Sequence, residues 1–196
     1  MWLMCGIVAV LRRPSNRPAP DLVEILAALD RVHEDLSAGD VLFSRIAVLE
    51  PATEALADID RSLRGPAGLG RLLASPASVE RIQAVIDRIG VRVEGLEAGL
   101  DRDSAELTPL RQEEVNAALI KLKDAWWAIA RDRLGMARSV ADLISGLHPA
   151  KQPNLDAWWS IQVALASLDR LEVRGRDSAG IHLLIAGHGT RSLSQR

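Results

Sequence analysis

The strongest constraint on the fold is a helical repeat of apolar residues that runs through most of the chain. It is clearest between Asp21 and Gly39, where apolar residues recur every three or four positions, as on one face of an amphipathic helix. Asp21 stands at the N-cap position and Gly39 follows the last turn. The residues of this face are Leu22, Ile25, Leu26, Leu29, Val32 and Leu36. The pattern predicts a mostly α-helical protein.

The same periodicity returns in three later segments. Ser78 is predicted to cap one helix, Thr108 to cap a long one that stops near Gly135, and Asn154 to cap one that runs to about Val173. A weaker helix over residues 41–49 is expected to end at Pro51, and a short one covers residues 140–144. The cluster Gly65–Gly70 is expected to form a turn, because it lacks the Lys-Ser/Thr of a phosphate-binding loop.

Composition excludes several classes of function. The chain has 196 residues and a formal net charge of -2, so nothing global indicates nucleic acid or an anionic membrane as a partner. No apolar run is long enough for a transmembrane helix. A single cysteine cannot form an internal disulfide, which fits the cytoplasm. His33 is expected to be a solvated helix position, since no cysteine or second histidine stands at metal-ligand spacing. We therefore expect no metal and no cofactor.

Two short apolar runs interrupt the helical pattern. Cys5 is the only cysteine, and Gly6 and the run Ile7–Leu11 follow it. The length and β-branched content of that run predict a buried strand over residues 5–11. A second apolar run, at residues 180–186, follows Gly180 and predicts another strand. The two are expected to pair antiparallel, as the start of an incomplete sheet beside a large helical bundle.

The residues around these two runs resemble a known family. Met4-Cys5-Gly6-Ile7-Val8 and the segment from Leu171 to Gly180, which reads Leu-Glu-Val-Arg-Gly-Arg-Asp-Ser-Ala-Gly, are similar to the class II glutamine amidotransferase domain. The similarity is greatest to glutamine–fructose-6-phosphate aminotransferases (glucosamine-6-phosphate synthases). It covers about residues 4–11 and 165–186, in the order that the family has.

The resemblance implies a fold and a chemistry. The fold is that of the amino-terminal nucleophile hydrolases, in which two stacked sheets lie between helical layers (α/β/β/α). Cys5 would be the nucleophile that releases ammonia from glutamine through a thioester, with its own α-amine as the base. Arg174 would support the nucleophile's end of the site, whereas Asp177, Ser178 and Gly180 would shape the turn into the second strand. The ammonia would pass to a sugar-phosphate-binding domain, for amino-sugar phosphate synthesis.

The chain departs from the family in three ways, and each sets an expectation. Residues 1–12 and 154–196 would form a partial amidotransferase domain, and residues 13–153 would be a helical insertion that the family lacks. The α-amine of Cys5 must be free, so we expect translation to start at Met4 or residues 1–4 to be removed. Segments for the glutamine carboxylate and the oxyanion hole are absent from this sequence. We therefore expect a fragment that needs a carboxy-terminal remainder and is nearly inactive alone.

An alternative stays open at this point. The chain could be a non-catalytic helical interaction module built on a remnant of the amidotransferase strands. Two tryptophan pairs are relevant to this interaction module. Trp126-Trp127 and Trp158-Trp159 lie in similar segments, each in a predicted helix. Adjacent tryptophans on a helix point about 100° apart, so one of a pair can lie in the core while the other faces a partner. A packed helical pair is the simpler interpretation, and self-association of the chain stays open.

Overall fold

The computed structural model describes residues 8–11, 17–38, 42–103, 107–145 and 154–172, and in these ranges it is almost entirely helical. A π-helical segment, Ala128–Arg133, joins the helix Pro109–Trp127 to the helix Leu134–Ser145 without a loop. None of the described helices is long and apolar enough to cross a bilayer. The helices are α1 Leu22–Ser37, α2 Leu42–Leu63, α3 Gly65–Leu73, α4 Pro76–Asp103, α5 Pro109–Trp127, α6 Leu134–Ser145 and α7 Leu155–Glu172.

The predicted fold class is wrong in its β part. Residues 8–11, the described part of the first predicted strand, are not in a strand, and no other described residue is. Val8 is 42% exposed and Leu11 is 94% exposed, so the run is not buried either. An apolar run becomes a strand only where a neighbour takes its backbone hydrogen bonds and a core covers its side chains. Residues 5–7 and 180–186 lie outside the described residues. The mostly α part of the prediction is confirmed.

The chain divides into two compact units. One runs from Arg12 to Gln162, and the other combines Met1–Leu11 with Val163–Arg196. The first unit contains α1 to α6 and the beginning of α7. The predicted domains, residues 13–153 against 1–12 and 154–196, stay a prediction.

The larger unit is built around one apolar core. Helix α2 packs on α5, and α1 packs on both α2 and α4. Leu29, Leu56, Ile86 and Ile89 are fully buried at these contacts. Each belongs to an apolar stripe repeated at helical spacing, so burial of these stripes holds the helices together. Asp21 caps α1 as predicted, because its Oδ1 accepts a hydrogen bond from the Val23 amide at 2.8 Å.

The helix end predicted at Pro51 does not occur. Helix α2 continues through Pro51, which lies on the exposed side, while Leu49 and Ala52 on either side of it are buried. The Leu49 carbonyl accepts an additional hydrogen bond from Thr53 Oγ1 at 2.7 Å. The free energy gained by burying the apolar face of α2 therefore outweighs the loss of the hydrogen bond that proline, without an N–H, cannot donate.

The glycine cluster at residues 65–70 is a helix rather than a turn. Gly65 has φ of 77°, a left-handed conformation that glycine adopts readily, at the junction between α2 and α3. Pro66 then stands in the first turn of α3, where its fixed φ suits helix initiation. A Cβ on Gly68 would collide with the backbone of Leu63, so the close approach of α3 to the end of α2 requires glycine there.

Candidate functional site

The residues predicted to carry the chemistry, Cys5 and Arg174, both lie outside the described residues. Their roles stay predictions, as do those of Asp177, Ser178 and Gly180. Helix α7, which leads to the second motif, is described. It begins after Asn154, whose Oδ1 accepts from the amides of Asp156 and Ala157, at 3.1 and 3.3 Å, and it ends at Glu172. The predicted helix before Arg174 is thus confirmed.

The most polar buried cluster in the described part of the chain is centred on Asp60 of α2. Its side chain is 3% exposed and accepts hydrogen bonds from two arginines. Arg133 Nε donates to Oδ1 at 2.7 Å, and Arg64 Nε donates to Oδ2 at 2.8 Å, with Arg64 Nη2 close to the same oxygen. A buried carboxylate is tolerated only with such partners, so the two guanidinium groups are what permit Asp60 inside the bundle.

The π-helical segment positions one of these arginines. Ile129 and Ala130 of this segment are buried, and the side chain of Arg133 at its end is 15% exposed. A π turn changes the register of the residues that follow it, and such turns often occur at functional sites. Here the turn lets α5 continue into α6 while Arg133 lies against Asp60. Sequence reasoning placed a helix end near Gly135, where the helix instead continues.

The Asp60 cluster has the chemistry of a structural anchor. The Asp60 carboxylate already accepts hydrogen bonds from both guanidinium groups, so both of its oxygens are engaged within the cluster. The adjoining cavity, beside Arg133, Met136 and Trp159, has a volume of about 10 Å³. That is room for at most one water molecule and too little for a substrate. The cluster joins the end of α2 to the π-helical segment between α5 and α6, and the cavity beside it is too small to bind a substrate.

His33 of α1 differs from the solvated position expected for it. The side chain is half-buried, and its Nδ1 is enclosed without a hydrogen-bond partner among the described residues. Burial lowers the pKa of His33, and the charges of Arg88 and Arg92 on α4 lower that pKa further against the opposing effect of Asp30 and Glu34. These surroundings therefore favour the neutral form of the imidazole over the charged form.

An open groove lies close by, between α1 and α4. Its volume is about 430 Å³, and its walls include Leu26, Val85 and Arg81. Arg88 Nη2 spans the groove and donates to Asp30 Oδ1 at 3.1 Å. The groove is a shallow surface feature crossed by an exposed ion pair, and such pairs contribute little to stability.

The two tryptophan pairs have different environments. Trp126 Nε1 donates to the Ile86 carbonyl at 2.8 Å, and its ring lies against Gly90 of α4. Trp127 is 47% exposed, with the Arg131 guanidinium 5.1 Å from its ring centroid. The first pair thus has one partly buried and one exposed member, as the geometry of adjacent residues allows. Both members of the second pair, Trp158 and Trp159, pack against the core.

Within the described ranges no group of three or more His, Cys, Asp or Glu side chains is arranged to hold a metal ion. The chain matches no model of a protein family, no curated protein and no solved structure.

Sequence reasoning missed the Asp60 cluster, although a signal for Asp60 was present. Asp60 stands between Leu56 and Leu63 at the spacing of the buried stripe of α2. A carboxylate at a core position predicts a buried cationic partner. The identity of Arg133, which is 73 residues away, could not be read from that spacing.

Proposed function

We propose that this chain is the amino-terminal part of a glutamine-dependent amidotransferase. The observation that carries the proposal is the pair of motifs, one around Cys5 and one from Leu171 to Gly180. Each is short, but the two occur in the family's order. A mechanism that uses the α-amine of Cys5 requires residues 1–4 to be absent or removed.

The proposed reaction releases ammonia from the side-chain amide of glutamine. The Cys5 thiol transfers its proton to the α-amine, and the sulfur attacks the amide carbon. The carbon–nitrogen bond breaks, the proton goes to the departing ammonia, and a glutamyl thioester remains. Water then hydrolyses the thioester to give glutamate and the free thiol. Arg174 supports this end of the site, and no cofactor takes part.

Two structural observations support the proposal. Helix α7, Leu155–Glu172, precedes Arg174 in the chain, where the resemblance implies a helix. The segments that carry the two motifs, Met1–Leu11 and Val163–Arg196, are grouped in one compact unit, apart from Arg12–Gln162. This grouping is what an insertion between two parts of one catalytic domain would produce.

The proposal extends to the partners of the reaction. The ammonia would be used by a sugar-phosphate-binding domain in a carboxy-terminal remainder, which would also supply the glutamine carboxylate clamp and the oxyanion hole. One oxyanion-hole donor contributes about 3 kcal/mol to lowering the barrier, so this chain without the remainder would be nearly inert. The enzyme would act in the cytoplasm, where a lone thiol stays reduced.

The first test reads the coding sequence beyond Arg196. The proposal expects an in-frame continuation that contains segments for the glutamine carboxylate and the oxyanion hole. A stop codon directly after Arg196 would instead favour the interaction module, in which the motifs have no catalytic role.

The second test addresses Cys5 in the full-length translated protein. A glutamine-mimicking electrophile such as 6-diazo-5-oxo-L-norleucine is expected to add one label, located at Cys5 by peptide mass spectrometry. Cys5→Ala is the matched control and should take up no label, while glutamine should protect the wild type. Edman sequencing of active protein should begin at Cys5. Retention of Met1 in fully active protein would rule out the α-amine mechanism.

A further inference from the structure

The outward face of α5 carries a second regular stripe, separate from the one that packs inside. Val115, Leu119 and Leu122 lie on the inner face and are buried. On the opposite side, exposed residues follow one another at intervals of four and three, the spacing of a coiled-coil seam. We call these residues the outer seam: Glu113, Ala117, Ile120, Asp124, Trp127 and Arg131.

The outer seam presents apolar surface that the rest of the described chain leaves uncovered. Ile120 is 51% exposed and Trp127 is 47% exposed, and the two are one heptad apart. Arg131, in the π-helical segment, remains on the same side, because its guanidinium lies 5.1 Å from the ring centroid of Trp127. An aromatic ring with an arginine over it is a composition enriched at protein interfaces.

The order of residues along the seam is self-complementary. In an antiparallel pair of α5 helices from two copies, the two-fold axis can pass at the level of Leu122. Glu113 of one copy then faces Arg131 of the other, which has the opposite charge. The small Ala117 faces the large Trp127 of the other copy. These two matches each occur twice, because a two-fold axis repeats every contact. Ile120 faces Asp124 of the other copy, and the exposed Lys121 follows Ile120 in the sequence.

We propose that the outer seam is the interface of a homodimer, formed by antiparallel pairing of α5 with α5 of a second copy. Charge and size both select this arrangement. A parallel pairing would place Glu113 opposite Glu113 and Trp127 opposite Trp127. The two carboxylates would then repel each other, and the two large rings would compete for the same space. The inference does not depend on the proposed amidotransferase activity.

The proposed interface is small. From Glu113 to Arg131 the seam is about 27 Å long at a rise of 1.5 Å per residue. A single helix pair of that length buries less than the ~1,200 Å² typical of stable complexes. We therefore expect a dissociation constant on the order of 10 µM, and a monomer–dimer equilibrium that depends on concentration.

Sedimentation equilibrium of the 196-residue chain tests the dimer. Ala117→Glu places a charge against Trp127 of the other copy, and it is expected to weaken dimerisation by about tenfold or more. Val91→Glu is the matched control, because Val91 is 67% exposed on α4 and lies off the seam. A chain that stays monomeric at ~300 µM, well above the expected constant, would overturn the proposal. Equal weakening by the two variants would overturn it too.

Charge reversal tests the antiparallel register. Glu113→Arg and Arg131→Glu should each weaken the dimer, because each places like charges opposite one another. The double variant exchanges the two charges and should restore much of the wild-type association. Failure of the double variant to bind better than either single variant would contradict the register. Circular dichroism verifies that each variant keeps its helix content, since both positions are exposed.

Discussion

Arg133 Nε donates to Asp60 Oδ1 at 2.7 Å, and this contact joins two helical segments that are 73 residues apart in the chain. Asp60 lies on α2 and is 3% exposed, whereas Arg133 ends the π-helical segment and is 15% exposed. The contact ties the register of α5 and α6 to that of α2. It is therefore where a single substitution should have the largest electrostatic effect on folding.

Removal of Arg133 should strongly destabilise the bundle. In Arg133→Met, Arg64 alone would remain to compensate the buried Asp60 carboxylate, and we expect a loss of about 3 kcal/mol in the free energy of unfolding. Urea denaturation measures it. Asp60→Asn combined with Arg133→Met should recover part of the loss, since no charge is then left buried without its main partner. The control is Arg61→Met, which breaks an exposed pair with Asp58 and should cost under about 1 kcal/mol.

Two glycines of α4 should respond oppositely to alanine. A Cβ on Gly90 would lie 2.7 Å from Trp126 Cζ2, so Gly90→Ala must displace the ring that bonds to the Ile86 carbonyl. We expect a cost of about 1–3 kcal/mol. Gly95 has no atom within 4 Å of its Cβ position, and Gly95→Ala should stabilise α4 by about 0.5–1 kcal/mol. Equal effects in urea unfolding would contradict this packing.

His33 should make stability depend on pH. Burial and the charges of Arg88 and Arg92 lower its pKa in the folded state below the ordinary value of 6.5. Below pH 6.5 the unfolded chain therefore binds more protons at this position than the folded chain does. Stability should fall as the pH drops through 6.5 and should stop falling, for this residue, below its folded pKa.

The variant His33→Gln isolates this contribution. Its midpoint of urea denaturation should change less between pH 7.5 and pH 5 than that of the wild type, because glutamine does not titrate. Subtracting the change in midpoint of the variant from that of the wild type removes the effect of the other titrating groups. Equal changes in the two proteins would show that His33 is solvated, as the sequence alone indicated.

The cap of α1 provides a prediction about local structure. Asp21 Oδ1 accepts from the Val23 amide at 2.8 Å, and its removal leaves the first turn without that partner. Asp21→Ala should lower the free energy of unfolding by about 1 kcal/mol, whereas Asp21→Asn should lower it much less, because asparagine also accepts the capping hydrogen bond. If Asp21→Asn lowered the free energy of unfolding as much as Asp21→Ala, the hydrogen bond would not explain the stability that Asp21 provides. Thermal denaturation followed by circular dichroism at 222 nm measures both.

Local patterns predicted most of the helices. The buried residues of α1 are the six that its apolar repeat selected, and α1, α5 and α7 begin after Asp21, Thr108 and Asn154 as predicted. These features depend on contacts within one or two turns, so a sequence displays them directly. The candidate nucleophile Cys5 and its supporting residue Arg174 were likewise identified from short motifs, and their roles await the tests above.

Other features were decided only when the helices packed together. Pro51 and Gly135 are residues that often end helices, yet α2 continues through Pro51 and α6 includes Gly135. Burial of the apolar faces of these helices outweighs the local cost of proline and glycine. The apolar run at Val8–Leu11 is not a strand, because strand formation requires a partner that no local pattern specifies.

The sequence by itself therefore determined which segments of this protein are helical and which face of each is apolar. Tertiary structure alone decided that Asp60 is held by Arg133, that Trp126 lies on Gly90, and that Trp127 is left outside on the outer seam. The physical reason is distance along the chain. A helix is specified by residues three or four apart, whereas these contacts join residues tens of positions apart and depend on how whole faces fit together.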